Sequence, residues 1–399
     1  MTDFEYAIHD GHIEIVKYTG TVSEVLIPST IDGLPVTHIG DSAFWCRKHL
    51  TSVTIPESVT HIGKKAFYWC ESLTSIQLPE NLTHLGERAF FLCKSLPSVT
   101  IPASVSHIGG GAFSLCWKLR EIFVSSKNSH FKSIDGILFT IDGKILIQVP
   151  AGISLTEYTT PDGVETIGGG AFAGCGLLSV NIPDSVTVIE DYAFSECANL
   201  IFMTFPRNLI NIGENAFSKC FCLVIHASKG SPAQKYAKKR EIPFSTDPLP
   251  FCGTDGAWYS SDRKTILGVP RSISGKCIIP NRVSVIGKGA FSKCVSLTSI
   301  TIPNSVVSIE NFAFFRCESL TSVTIPNSVT DIGDGAFNSC RNLTTVEIPE
   351  NVMHIGDYAF NWCHNLTIVG RSETAAEWYA NKEGIPFQKT DQACQLPPS

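Results

Sequence analysis

A chain of 399 residues, 43% of them apolar, has enough hydrophobic material for a continuous core. Its net charge of -6 and pI near 6.0, with no basic run longer than Lys238-Lys239-Arg240, argue against a nucleic-acid partner, which needs a basic face. No apolar run approaches the roughly 18 residues that a membrane-spanning helix needs.

The chain opens with Asp3, Glu5 and Asp10 where a secretory leader would have basic and then apolar residues. On that ground the expected compartment is the cytoplasm. Phe4 to Pro28 reads as short strands about an Asp10-Gly11 turn, placed to cover the open end of a repeat array.

From there the chain is written in one unit, clearest in LTSVTIPESVTHIGKKAFYWCES, Leu50 to Ser72. Its Ala-Phe pair recurs at Phe44, Phe67, Phe90 and Phe113, then Phe172, Phe194 and Phe217, then Phe291, Phe314, Phe337 and Phe360. Within each group the step is 23 residues, except 22 between Phe172 and Phe194. A fixed period of this size means a solenoid, in which each coil's core is completed by its neighbours. Within a coil, Val53 and Ile55 alternate as in a short strand, and Pro56, lacking an N–H for the ladder, stops it. Val59 and Ile62 point inward and Gly63 turns the chain. Glu190 and Glu310 replace that glycine in two copies, so the turn is not expected to need a positive φ. The spacing of Ala66, Phe67 and Cys70 predicts a helical turn, with Lys64, Lys65, Tyr68 and Trp69 facing outward. The expected fold class is an α/β repeat solenoid, one short strand and one helical turn per coil.

The pattern L-x-x-V-x-I-P-x-x-V-x-x-I-G-x-x-A-F-x-x-C resembles the 23-residue leucine-rich repeat of bacterial BspA-like surface proteins, over about eleven copies. The resemblance implies right-handed β/α coils and a role in contacts with other molecules. It brings no catalytic residues. It also sets a cell-surface or secreted location beside the cytoplasmic one.

Three stretches break the period. After Leu119–Val124, another repeat strand, residues 125–161 are irregular. Within them Asp135-Gly136 to Val149-Pro150 matches Asp255-Gly256 to Val269-Pro270 at an offset of 120, and both read as sheet-extending hairpins. SPAQKYAKKREIPF, 231–244, matches TAAEWYANKEGIPF, 374–387, at an offset of 143. A solenoid needs a cap over its last coil, so both are expected to be capping helices. Asp247-Pro248-Leu249-Pro250 then reads as a linker. The expected organisation is one array over 1–244, with its N-terminal strand cap, hairpin insertion and capping helix. A second array occupies 250–391, with an opening hairpin and C-terminal cap, and a tail covers 392–399. The rival is one continuous array with a helix looped out.

Ten of the 15 cysteines sit three residues after the repeat phenylalanine, from Cys70 to Cys363, which reads as a small buried core position rather than a disulfide framework. No CxxC pair exists for zinc, and no cofactor is expected. The strand positions turned outward are nearly all hydroxyls (Thr51, Ser52, Thr54, Thr298, Ser299, Thr301), with no base beside a nucleophile, so no enzyme is expected.

Two features mark the first four repeats. His38, His61, His84 and His107 precede the repeat isoleucine or leucine, and coil stacking would set them about 5 Å apart. They are either a polar edge filled alike by duplication or a pH-sensitive, metal-collecting ladder. Trp45, Tyr68, Trp69 and Phe91 occupy positions after the phenylalanine that hold small or charged residues in the middle block. They are either core under irregular coils or an exposed aromatic patch for a partner. The expected function is a non-enzymatic scaffold that binds a protein through this surface, with a carbohydrate-binding adhesin module as the alternative.

Overall fold

The computed structural model describes residues 3–221, 223–245, 251–252, 257–269 and 273–390. The linker expected at Asp247–Pro250, the Asp255-Gly256 turn and the tail from residue 392 lie outside the described residues. The chain divides into two compact units, Met1–Cys220 with Ala227–Phe244, and Phe221–His226 with Ser245–Ser399.

Each coil contributes two strands, not one. In the coil of Phe67 these are Ser52–Thr54 and His61–Ile62. The first pairs in parallel with Ser75–Gln77 of the next coil and the second with His84–Leu85. Pro56 ends the first strand as expected, and its carbonyl accepts from Val59 N at 3.0 Å to make the bend between the two. The threonine that precedes the first strand serves the backbone in several coils. Thr51 Oγ1 donates to Ser23 O and Thr74 Oγ1 to Thr51 O, at 3.0 and 3.1 Å, and Thr344 Oγ1 donates to Thr321 O at 3.2 Å in the second unit.

The expected helical turn does not form. Along Lys65–Cys70 the backbone N–H groups alternate in direction. Tyr68 N and Cys70 N bond within the segment, to Lys65 O and Phe67 O, at 3.0 and 3.3 Å. Phe67 N and Trp69 N instead reach the next coil, at Ala89 O and Phe91 O, both at 2.8 Å. A helix would keep these donors for its own carbonyls. Sending them outward requires left-handed residues, and Lys65 and Trp69 adopt φ of 56° and 64°. The segment is therefore a run of linked turns that joins coil to coil as a sheet does.

The side chains inside repeat the same step. Phe44, Phe67, Phe90 and Phe113 stack with centroids 4.8, 5.1 and 5.6 Å apart, and Phe291, Phe314, Phe337 and Phe360 stack at 5.0, 4.9 and 5.2 Å. All but one of these rings are fully buried, Phe360 keeping 1% of its surface. In the regular coils the repeat thiol donates to the phenylalanine carbonyl of the preceding coil, Cys70 to Phe44 O, Cys93 to Phe67 O and Cys116 to Phe90 O, at 3.2, 3.3 and 3.1 Å, whereas Cys175, after the meander, donates to Val149 O at 3.7 Å. Burial pushes the Cys70 and Cys116 thiols up to about 12. Cys46, Cys70, Cys93, Cys116, Cys175, Cys197, Cys317, Cys340 and Cys363 are not in disulfides.

The repeat glycine answers to crowding rather than to φ. A Cβ on Gly86 would lie 2.5 Å from Gly63 C and Lys64 N of the previous coil.

The sheet-extending segments form as hairpins. Phe4–His9 is antiparallel to His12–Tyr18, which runs parallel to Leu34–Ile39. Phe131–Ile134, Ile137–Thr140 and Ile145–Gln148 form an antiparallel meander whose last strand pairs in parallel with Thr166–Ile167. In the second unit Trp258–Tyr259 and Thr265–Gly268 do the same ahead of Val285–Ile286. Helix α1 (Pro232–Lys239) starts at Ser231, whose Oγ accepts from Gln234 N, and helix α2 (Ala375–Glu383) ends at Gly384 with φ 68°. They are the only helices among the described residues. Tyr236 of α1 meets Phe217 edge-on at 5.9 Å, and Tyr379 of α2 meets Phe360 in the same way at 5.9 Å.

Two measurements check this packing. Gly86→Ala should lower stability by about 1–3 kcal/mol, the usual range for a residue forced against fixed backbone. Gly110→Ala, whose Cβ meets nothing closer than 3.7 Å, should leave the melting temperature within a degree or so of wild type. Equal effects at both positions would overturn the crowding account. Protein denatured without oxidant should titrate all 15 thiols, and folded protein only a few, because the repeat thiols are buried and protonated.

Candidate functional site

The turn face of the first unit carries the aromatic residues that distinguish its sequence. Linked turns, not helical spacing, bring both Tyr68 and Trp69 outward, since Trp69 takes a left-handed backbone between Tyr68 and the buried Cys70. Tyr68 and Phe91 stack across neighbouring coils at 4.9 Å with planes 7° apart. Both are half-buried, as is Trp69, whereas Trp45 is 53% exposed. No ring contact joins Trp45 to the other three among the described residues.

Cations lie over three of these rings. Lys65 Nζ lies 5.8 Å from the Tyr68 ring, the Arg88 guanidinium 5.8 Å from Phe91, and Lys48 Nζ 4.0 Å from Trp69. The Trp69 indole N–H donates to Glu71 Oε1, and Glu71 pairs with Lys94 at 2.5 Å. Lys94 in turn lies 5.0 Å from the ring of Trp117, which is 46% exposed. Lys94 and then the Trp69 indole hold the Glu71 carboxyl below the usual carboxylate range. The surface is thus a chain of rings and charges, Lys48–Trp69–Glu71–Lys94–Trp117, beside the Tyr68–Phe91 stack. Sequence reasoning missed Trp117, which falls four residues after its phenylalanine instead of one or two. It also missed the exposed Tyr358, Trp362 and Trp378 of the second unit.

The row does not continue past Phe91. Ser114, at the equivalent position, is only 1% exposed, and its hydroxyl donates to Gly170 O at 2.8 Å. Beyond it lies a cleft of about 700 Å³ between the coil of Phe90 and the coils of Phe172 and Phe194, lined by Arg88, Phe91, Glu190, Asp191 and Tyr192 among others. Its floor is Gly109-Gly110-Gly111 and Gly169-Gly170.

On another face of the same unit, the four repeat histidines stack. Centroids are 4.4 Å apart for His38–His61 and His61–His84, and 5.6 Å for His84–His107. The ladder is longer than its repeats, because the N-terminal hairpin adds His12 at 4.9 Å from His38 and His9 at 5.8 Å from His12. Each of Thr37, Thr60 and Thr83 shares a hydrogen bond with Nδ1 of the next histidine, at 2.7, 2.8 and 2.9 Å. His38, His61 and His84 lie face to face, with planes 10° and 12° apart, while His107, His12 and His9 are tilted by 34°, 31° and 35°, and among the described residues no three His, Cys, Asp or Glu side chains converge as a metal site.

Burial, and then the neighbouring imidazoles, lower the pKa of His38 and His61; at His38 the Glu14 carboxylate opposes this. A folded pKa below the unfolded value near 6.5 favours neutral imidazole, so this stability is complete above pH 6.5 and is lost as pH falls below it. The melting temperature should drop between pH 7 and pH 5, and His38→Gln/His61→Gln should flatten that drop. A double variant with the wild-type profile would show that the ladder does not titrate as a group.

The family profile for the BspA type leucine rich repeat region matches residues 37–140, 150–229 and 273–380. Among solved structures, the chain is similar to a leucine-rich repeat protein from Eubacterium ventriosum ATCC 27560, with 24% identity and a TM-score of 0.47, over 82% of this chain and 90% of that one. It is also similar to a leucine rich cell surface protein from Faecalibacterium prausnitzii A2-165, with 27% identity, a TM-score of 0.40, and 98% and 97% covered. The pneumococcal vaccine antigen PcpA shares 16% identity at a TM-score of 0.31, with 98% of both chains covered. No curated protein matches the chain. With its period, its coil-to-coil hydrogen bonding and a profile match over more than half its length, the chain belongs to the BspA-type leucine-rich repeat family.

Proposed function

We propose that the protein is a non-enzymatic scaffold that binds a protein partner on the turn face of its first unit, through Trp45, Tyr68, Trp69 and Phe91. The observation that carries this is the ring-and-cation surface itself. Aromatic and arginine side chains on a rigid frame are the residue types that dominate protein interfaces, and cations over ring faces add about 0.5–1 kcal/mol each at exposed sites. Solenoid stacking fixes the rings at the coil spacing, so little side-chain freedom is lost on binding. Trp117 extends the surface by one coil beyond Phe91. In the same proposal α1 closes the stack of Phe172, Phe194 and Phe217 and α2 closes the stack that ends at Phe360, with Tyr236 and Tyr379 turned edge-on to Phe217 and Phe360.

The test is Tyr68→Ser/Trp69→Ser/Phe91→Ser. Partners captured by wild type from its native cells, identified and then purified, should bind the variant at least tenfold more weakly, while its melting temperature stays close to wild type. A large fall in melting temperature with partner affinity intact would make the rings structural and end the proposal.

A further inference from the structure

The cleft beside Phe91 has a definite origin in the repeat. Three residues before each phenylalanine, successive coils carry Lys64, Glu87, Gly110, Gly169 and Asp191; two residues before it they carry Lys65, Arg88, Gly111, Gly170 and Tyr192. Two neighbouring coils thus lack side chains at both positions, and the space they leave is the cleft. The coils on either side are charged. On the near side Lys64 pairs with Glu87 at 2.6 Å, one coil to the next. On the far side Glu190 Oε2 accepts from Gly169 N at 2.7 Å and Asp191 Oδ1 accepts from Asn215 N at 2.9 Å. Neither of these two carboxylates meets a lysine or arginine among the described residues. In the second unit the position of Gly169 is filled by Lys288, whose backbone N donates to Glu310 Oε2 at 2.8 Å, as Gly169 N does to Glu190. The first unit has the same carboxylate and lacks the lysine.

One cation already reaches into the gap. The Arg88 guanidinium lies 5.8 Å from the Phe91 ring on its own coil and 5.0 Å from the Tyr192 ring across the cleft. The space of about 700 Å³ remains with Arg88 in place, within the usual range for ligand sites. Its remaining unpaired charge is negative, which disfavours phosphates and other anions.

We propose that this cleft receives a cationic side chain, an arginine or lysine of the protein partner, beside Glu190 and Asp191. The inference rests on the docking surface of the proposed function, since Phe91 belongs to both, and it gives that partner a chemistry. The partner's aromatic contacts lie along Trp69 and Tyr68, and its basic residue enters where the repeat omits its own.

The probe is a blocked tri-arginine peptide, titrated calorimetrically into the full chain at low salt, with the tri-citrulline peptide as its uncharged match. Tri-arginine should bind at least tenfold more tightly than tri-citrulline. Glu190→Gln/Asp191→Asn should weaken it at least tenfold. So should Gly169→Lys, which restores the missing lysine; the backbone there is not left-handed and a Cβ meets nothing closer than 3.4 Å, so the variant should melt as wild type does. Glu24→Gln/Glu347→Gln, which removes two exposed carboxylates elsewhere, should change affinity less than twofold. Equal binding of the two peptides, or unchanged affinity in either cleft variant, overturns the inference. If the cleft variants keep the native partner while the aromatic triple variant loses it, the cationic inference fails and the docking surface stands.

Discussion

The distance from one coil to the next governs this protein. Parallel strand pairing demands a spacing of about 4.8 Å, and everything that repeats must fit that step. The phenylalanine stack meets it with rings 4.6 to 5.6 Å apart. The turn segment meets it by giving alternate N–H groups to the neighbouring coil. The glycine meets it by yielding its Cβ to the neighbour's backbone. The thiol meets it by donating to the carbonyl one coil back. None of these residues could be chosen for its own coil alone, which is why one motif had to be written so many times.

The same constraint explains what sequence pattern could and could not reveal. The period, the inward residues and the hairpins ahead of each run were legible, because apolar spacing and turn signals report burial directly. The helical turn was misread for a physical reason. Ala66, Phe67 and Cys70 are spaced as one face of a helix, yet a tight run of turns places the same three residues inward. Periodicity cannot separate the two; what separates them is where Phe67 N and Trp69 N send their hydrogen bonds, and that depends on a coil 23 residues away. The left-handed backbone at Lys65 and Trp69 had no marker either, since neither is glycine, asparagine or aspartate.

The candidate sites were legible in part. The histidine ladder was visible where it keeps to the period. Its extension through His12 and His9 was not, because a hairpin rather than a repeat delivers them. The aromatic surface was visible in Tyr68, Trp69 and Phe91. Its continuation to Trp117 runs through Glu71 and Lys94, a charged link whose partners change from coil to coil.

The cleft shows how a repeat protein acquires a local property. A solenoid with identical coils has identical surfaces, and a ligand would find every register equivalent. Uniqueness requires a break, and here the break is built from omission. The meander at 131–148 interrupts the regular succession of coils between Phe113 and Phe172, and the two coils that flank it are those whose turns are glycine. The frame continues across the interruption, because Ser114 and Gln148 bond to Gly170 O, at 2.8 and 3.5 Å, and Gln148 Nε2 also reaches Ala171 O at 3.1 Å. Buried polar side chains thus add to the joining role that backbone donors keep here, with Leu115 N bonding to Ala173 O at 3.4 Å and Val149 N to Ala171 O at 2.7 Å. The glycine turns keep their backbone bonds, Arg88 N to Gly110 O at 3.2 Å and Gly170 N to Asp191 O at 3.3 Å, so only their side chains are left out, and an empty position between charged coils is the simplest site a solenoid can make.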